Sequence, residues 1–297
     1  PVSRVGFELS GSPVPGEMID VPAGAFEMGA PSGRFTYDNE RPRHSARTGR
    51  FQIGRFPVTN GEFFDFVASG GYDDPALWTT TGWSWKDEAG VTAPKYWRPR
   101  GLGEALTSRV AADTARFGGT DGWERTTSLG SEPLCAADPV VHVSHHEAEA
   151  YARFAGARLP TEAEWEKAAA WDPATGESLP YPWGSEPPGP HRANLDASAF
   201  GVAPIGTFPA GRSPVGCEQM LGDVWEWTSS PFGGYPGFTA YPYEEYSAVF
   251  FGPDYVVLRG ASWATDAGVA RNTFRNWDYP IRRQLFAGFR IARGESG

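Results

Sequence analysis

Cysteine is scarce: Cys135 and Cys217 are the only two in 297 residues. One disulfide is arithmetically open and a disulfide framework is not, so two reduced thiols are expected. Long apolar runs are missing too, and none approaches the roughly 20 residues that cross a bilayer. The opening PVSRVGFELSG lacks a signal-peptide core. A cytoplasmic location is the expectation, with no membrane partner. Basic charge is also in deficit, with 26 Lys and Arg against 36 Asp and Glu and a formal charge of -10. The basic residues are scattered apart from Arg282 and Arg283. Phosphate binding needs a basic surface, so nucleic acid is excluded as a partner.

What is abundant is glycine (37), proline (27) and tryptophan (12). Gly and Pro build turns and interrupt regular elements. The composition predicts a loop-rich fold with short elements held by aromatic anchors. Residues 17–29 read as a strand, a turn at Pro22–Gly24 and a second strand, and 50–58 as another strand. Three helix starts carry a capping box: Thr59 with Glu62, Ser144 with Glu147, and Thr161 with Glu164. Phe63, Phe66 and Val67 form the inner face of the first helix, which Gly70-Gly71 ends. Residues 72–138 read as an irregular excursion packed onto the core by Trp78, Trp83, Trp85, Trp97 and Trp123. A disordered linker would be poor in aromatics. Residues 172–216 read as mostly loop, and 255–259 and 287–292 as strands. Nothing resembles an interdomain linker, so 17–297 is expected to be one domain, with 1–16 an extension.

A set of motifs runs along the chain: 25-AFEMG-29, 40-ERPRH-44, 57-PVTNGEF-63, 139-PVVHVS-144, 158-RLPTEAEWEKAA-169, 181-YPWG-184, 220-MLGDVWEWTSS-230, 258-LRGASW-263 and 287-AGFRIA-292. In this order and spacing, from about residue 17 to 293, they resemble the formylglycine-generating enzyme (sulfatase-modifying factor) family. That resemblance implies an α+β, C-type-lectin-like fold with little regular secondary structure. The family holds several activities, so the fold does not name the function. A formylglycine-generating oxidase carries a copper-binding cysteine pair shortly after the RGASW-like segment. Here 263-WATDAGVARNTFRN-276 contains no cysteine, which speaks against copper chemistry.

The segment 273-TFRNWDYPIRRQLFAGFR-290 is instead similar to the C-terminal signature of the sulfoxide synthases of ergothioneine biosynthesis, as are 71-GYDDP-75, 88-EAGVTAP-94 and 235-YPGFTAYPYEEYS-247. Those enzymes join hercynine to cysteine or gamma-glutamylcysteine with dioxygen and non-haem iron. The resemblance implies that Asn276 and Trp277 meet hercynine and that Asp278 holds the amine of the thiol substrate. It makes Tyr243 the active-site acid, with Tyr246 nearby in the hercynine pocket. The chemistry suits these residue types. Hercynine's quaternary ammonium cannot donate a hydrogen bond, so aromatic faces and carboxylates hold it. Trp277, Tyr243, Tyr246 and Tyr279 supply faces, and Arg282 and Arg283 offer forks to substrate carboxylates. Aromatic packing of a core and a plain surface loop are the alternative readings of the same residues.

The relatives hold iron(II) in an N-terminal helical bundle that this chain is expected to lack. Of its five histidines, His142 and His146 have helical spacing, but Ser144 caps the helix between them and Glu147 stands one place early for the motif. No iron ligand is therefore assigned here. The expectation is that the iron domain is a separate chain or was removed, with 1–16 the remnant of a linker. The family also implies calcium at Asn194, Leu195, Gly222, Val224 and Glu226, with Gln219 standing where relatives often have Asn. Two rival readings stay open: a non-catalytic small-molecule or protein binding module of this fold, and an oxidase of protein cysteines.

Overall fold

The structure is a computed structural model that describes residues 13–33, 35–101 and 119–294. Residues 1–12, most of the expected N-terminal extension, lie outside the described residues. The strands are β1 (Met18–Val21), β2 (Gly24–Met28), β3 (His44–Thr48), β4 (Phe51–Gly54), β5 (Trp97–Pro99), β6 (Trp123–Thr127), β7 (Gly130–Pro133), β8 (Trp225–Phe232), β9 (Gly252–Arg259), β10 (Arg275–Asp278), β11 (Ala287–Gly288) and β12 (Ala292–Arg293). The helices are α1 (Asn60–Ala68), α2 (Thr80–Glu88), α3 (His145–Phe154) and α4 (Glu162–Ala170). They make an α+β fold in which long loops outweigh regular elements. The central sheet has the order β10-β9-β8-β11, and smaller sheets are β1-β4-β12, β5-β6-β7 and the pair β2-β3.

All three expected capping boxes form. At α1 the Thr59 hydroxyl accepts from the Glu62 N–H at 3.2 Å while Glu62 accepts from the Thr59 N–H at 2.9 Å. Ser144–Glu147 and Thr161–Glu164 repeat the exchange. Phe63, Phe66 and Val67 turn inward and are buried. Phe63 stacks on Tyr151 of α3, with ring centroids 5.4 Å apart. That cluster of α1, α3 and the central sheet is the main core.

Three expectations need correction. Residues 72–138 are not wholly irregular: α2 starts at an N-cap Thr79, and β5, β6 and β7 make a sheet. Its first turn has no capping Glu, so the sequence carries only half of the usual start signal. Their packing is aromatic as expected, with Trp78, Trp97 and Trp123 all buried. The second correction is that 50–58 is strand only over Phe51–Gly54. The third is that 287–292 is two strands: Ala287–Gly288 lies parallel to β8, and Ala292–Arg293 antiparallel to β4. The break lets the Arg290 side chain turn into the core and bind the Glu226 carboxylate at 2.6 and 2.7 Å.

Buried ion pairs join α4 to β9 and β10. Arg259 donates to Glu162 at 2.7 Å and to Glu166 at 2.6 Å. Arg275 donates to both Glu162 oxygens, at 2.6 and 2.9 Å, and to the Asn39 carbonyl at 2.7 Å. Glu166 also accepts from the Gly29 N–H at 2.6 Å. Burial pushes the Glu162 carboxyl up, yet the two guanidiniums outweigh it and hold the group below its ordinary range.

Candidate functional site

β10 is the axis of the site. It pairs antiparallel with β9, Arg275 opposite Arg259 and Asp278 opposite Val256. Alternation along a strand gives Arg275 and Trp277 one face and Asn276 and Asp278 the other. The Arg275 ionic network fixes the inner end. Burial then falls along the strand, from buried Arg275 through half-buried Asn276, Trp277 and Asp278 to exposed Tyr279.

Trp277 stacks on Phe232 of β8 with centroids 4.0 Å apart and an interplanar angle of 6°, and Phe250 tilts against it at 5.6 Å. Its ring is thereby fixed while part of it stays open. The Asn276 side-chain oxygen accepts from the Trp277 N–H at 2.9 Å, which sets the orientation of its amide. Asp278 accepts from the Tyr279 N–H at 2.7 Å and has Arg282 at 3.4 Å.

The segment 241–251 packs beside β10. Asp38 anchors it, accepting from the Tyr241 N–H at 3.2 Å and from the Ser247 hydroxyl. Tyr243 is 57% exposed and meets Tyr246 edge-on at 6.1 Å. Tyr246 stacks on Tyr37 at 5.8 Å, and Tyr37 on Phe274 at 5.5 Å. Burial, then Tyr37 and Asp38, raise the Tyr246 phenol above its ordinary value. So Tyr243 touches Tyr246, Tyr246 reaches Phe274 just before β10 through Tyr37, and Phe250 of the same segment tilts against Trp277. Sequence reasoning missed those intermediaries and Asp38. The available clue was the 40-ERPRH-44 motif: Glu40 accepts from Arg271 at 2.8 Å and from Thr273 at 2.6 Å, tying that loop to the approach to β10.

The two arginines part company. Arg282 is exposed and lies over the Tyr279 ring, 5.7 Å from its centroid. Arg283 points back to α3, donating to Glu147 at 3.0 Å and to the Ala93 carbonyl. Its fork is occupied by the protein itself.

The calcium-type residues do not fit that ion as a set. Both Glu226 oxygens are held by Arg290, one of them also by the Trp165 indole N–H at 2.8 Å. With both oxygens hydrogen-bonded to the guanidinium, this carboxylate has none left for a second cation. Asn194 and Gly222 belong to a different cluster, built on Asp223. Asp223 accepts from the Asn194 amide at 2.7 Å, the Ala203 N–H at 2.8 Å and the Gln219 amide at 3.0 Å. The Asn194 side-chain oxygen is buried without a hydrogen-bond partner, and Leu195 follows it in the same loop.

His142 and His146 do not pair. His142 has φ 65° just before the helix, its Nδ1 lies 3.2 Å from the Arg283 carbonyl, and its ring packs between Tyr96 and Phe286. His146 clusters instead with His145 and Glu149, the one such group among the described residues. Cys135 and Cys217 are both free thiols. Burial pushes the Cys217 thiol up to about 11, which leaves it unreactive at neutral pH.

The described residues make an α+β fold with a buried Arg–Glu core and a cluster of aromatic rings beside β10. The chain belongs to the family of sulfatase-modifying factor enzyme 1-like domains, whose profile matches residues 8–295. It is similar to the hercynine oxygenase of Mycobacterium tuberculosis (strain H37Rv), at 52% identity over 255 residues, covering 86% of this chain and 55% of that protein. It is also similar to the hercynine oxygenase of Mycolicibacterium smegmatis, at 48% over 300 residues, covering 98% of this chain and 65% of that protein. The chain therefore spans only part of the length of these relatives. In fold it is similar to the solved structure of PvdO from Pseudomonas aeruginosa, with a TM-score of 0.59 at 23% identity over 99% of this chain and 100% of that one. Among the described residues, no helix is long and apolar enough to cross a membrane.

Proposed function

We propose that this chain is the substrate-binding part of a cytoplasmic sulfoxide synthase that joins hercynine to cysteine or gamma-glutamylcysteine with dioxygen. The observation that carries the reading is the identity of about half to two hercynine oxygenases. The aromatic cluster at β10 supports it. In this reading hercynine's trimethylammonium lies against the open part of the Trp277 ring and the Tyr246 face, and Asn276 presents an amide donor to its polar end. Asp278, already oriented by the Tyr279 N–H, takes the ammonium of the thiol substrate, and exposed Arg282 its carboxylate. Tyr243 supplies a proton from an exposed phenol. Iron(II), which activates the dioxygen, belongs in this reading to an N-terminal helical domain outside this chain. Phe35, Tyr241, Tyr243, Val249, Tyr279 and Ile281 are exposed, apolar surface of a kind suited to contact with such a domain.

Calorimetry tests the assignment. Trp277→Ala should weaken hercynine binding by roughly 0.5–2 kcal/mol, the range of a cation–π contact. Histidine, without the methyl groups, should lose less. Equal losses for both ligands would remove Trp277 from an ammonium-binding role.

A further inference from the structure

The first turn of α3 carries His145 and His146, and Glu149 follows one turn later. Residues three and four apart on a helix are surface neighbours. Accordingly His145 Nδ1 lies 3.7 Å and His146 Nδ1 4.0 Å from Glu149 Oε2. The three ligand atoms all fall within 4.8 Å of one another.

The hydrogen bonding around them is that of a cation site. His145 Nε2 is 3.1 Å from the Thr228 carbonyl. A carbonyl only accepts, so Nε2 carries a proton, and Nδ1 is the ring nitrogen turned toward the Glu149 carboxylate, 3.7 Å away. An imidazole whose far N–H is held by a backbone carbonyl is also the usual outer support of a metal-bound histidine. His146 makes the second case: it is only 8% exposed, and its buried Nδ1 makes no hydrogen bond of ordinary length, with Glu149 Oε2 standing 4.0 Å away. Such orphaned polar atoms are rare in folded proteins.

The rings are held where they are. Trp85 of α2 packs on His146 at 5.5 Å, and Trp227 of β8 meets His145 edge-on at 5.8 Å. Gly82 of α2 has no side chain where a Cβ would stand 3.2 Å from the His146 Cβ, so the helix seats directly on the imidazole. Arg153 sits 3.9 Å from Glu149 Oε1, which leaves Oε2 to the histidines. The Glu149 side chain is 26% exposed and gives a way in from solvent.

We propose that His145, His146 and Glu149 bind one divalent transition-metal ion of the zinc class through two Nδ1 atoms and one carboxylate oxygen, with water completing the shell. Ligands about 2.0–2.2 Å from one zinc at a tetrahedral angle stand roughly 3.4 Å apart, near the 3.7 and 4.0 Å that separate the two imidazoles from Glu149 Oε2. Two imidazoles with one carboxylate suit zinc and cobalt rather than calcium or magnesium, which take oxygen shells. The site shares no residue with the proposed hercynine cleft, and neither reading depends on the other.

Titration of the chelator-stripped 297-residue chain with Co2+ tests it, read by visible absorption and by calorimetry with Zn2+. One equivalent should bind with the absorption of nitrogen- and oxygen-bound cobalt. Glu149→Gln and His146→Ala should lose that equivalent while keeping the wild-type circular dichroism. His191→Ala, at an exposed histidine outside the cluster, should keep it. If His146→Ala fails to fold, Glu149→Gln decides alone, since its side chain is partly exposed. No stoichiometric uptake by the wild-type chain, or uptake unchanged in Glu149→Gln, would overturn the site and leave a histidine–carboxylate packing cluster.

Discussion

The two ends of β10 are built from opposite materials. At Arg275 the strand is locked by charge: a guanidinium 3% exposed meets both oxygens of Glu162, a backbone carbonyl, and the face of Tyr235 at 4.2 Å. Four residues on, at Tyr279, the strand has run out into exposed aromatic rings, with Tyr255 donating to the Tyr279 hydroxyl at 2.7 Å. The ionic end depends on mutual satisfaction of buried groups, so any single deletion strands a charge. The aromatic end rests on dispersion between open faces, so it tolerates substitution and has surface left for a ligand. A strand built this way presents Asn276, Trp277 and Asp278 from a rigid base.

Removing the base is the most damaging change. Arg275→Ala leaves Glu162 with one guanidinium and strands the Asn39 carbonyl. Breaking a buried pair from one side costs about 3–5 kcal/mol. A chemical denaturation curve should show that loss with little change in slope. A loss under about 1 kcal/mol, typical of surface pairs, would mean that the ionic end is no stiffer than the aromatic one.

Of the ionic end only the helix was legible in sequence: 158-RLPTEAEWEKAA-169 shows its capping box, while the partners of Glu162, Arg259 and Arg275, stand 97 and 113 residues further on and no local pattern joins them. Local rules suffice for a helix start. The capping boxes at Thr59, Ser144 and Thr161 were legible for the same reason. The cleft was legible only as a resemblance. Tyr37 lies more than two hundred residues before Tyr246 in the chain, and the stack that joins them has no sequence period. The division of 287–292 into two strands was hidden too, because both pieces are apolar and only the buried Arg290 marks the crossing. In the histidine cluster, helical spacing was visible between His142 and His146, but the φ of 65° at His142 removes it from the helix. The pairs that form are 145–149 and 146–149.

A smaller effect probes whether the stiffness extends past β10. The Arg283 carbonyl faces His142, and burial, opposed by the Arg283 and Leu285 carbonyls, pushes that imidazole down to about 4. An unfolded histidine titrates near 6.5. A folded pKa below the unfolded one means that protonation favours the unfolded chain. The contribution of neutral His142 is full above about 6.5 and is lost as pH falls toward about 4, to a maximum of roughly 3 kcal/mol. His142→Asn keeps a residue that accepts positive φ and removes the titration. Its stability should fall less steeply between those limits than wild type. Identical acid profiles would show that the loop after β10 releases His142 to solvent without cost.

Tyr243→Phe should cost the least stability, because its ring is more than half exposed and packs edge-on against Tyr246 alone among the described ring contacts. Surface substitutions of this kind stay within about 0.5 kcal/mol. If the aromatic end is a site and not packing, the small structural cost must come with a large chemical one. The change removes a hydroxyl and keeps the ring, so hercynine binding to the cleft should persist. On the proposed function, sulfoxide formation by the full-length protein should slow by roughly 100- to 10,000-fold, the range for loss of a positioned general acid. Mass spectrometry of the products with both substrates present, beside a thermal melt of the same sample, separates the two ideas. An unchanged rate with a lowered melting temperature would make Tyr243 a packing residue and assign the open end of β10 to cohesion. An unchanged melt with a slowed rate would make Tyr243 a proton donor and leave support to the Arg275 end of β10.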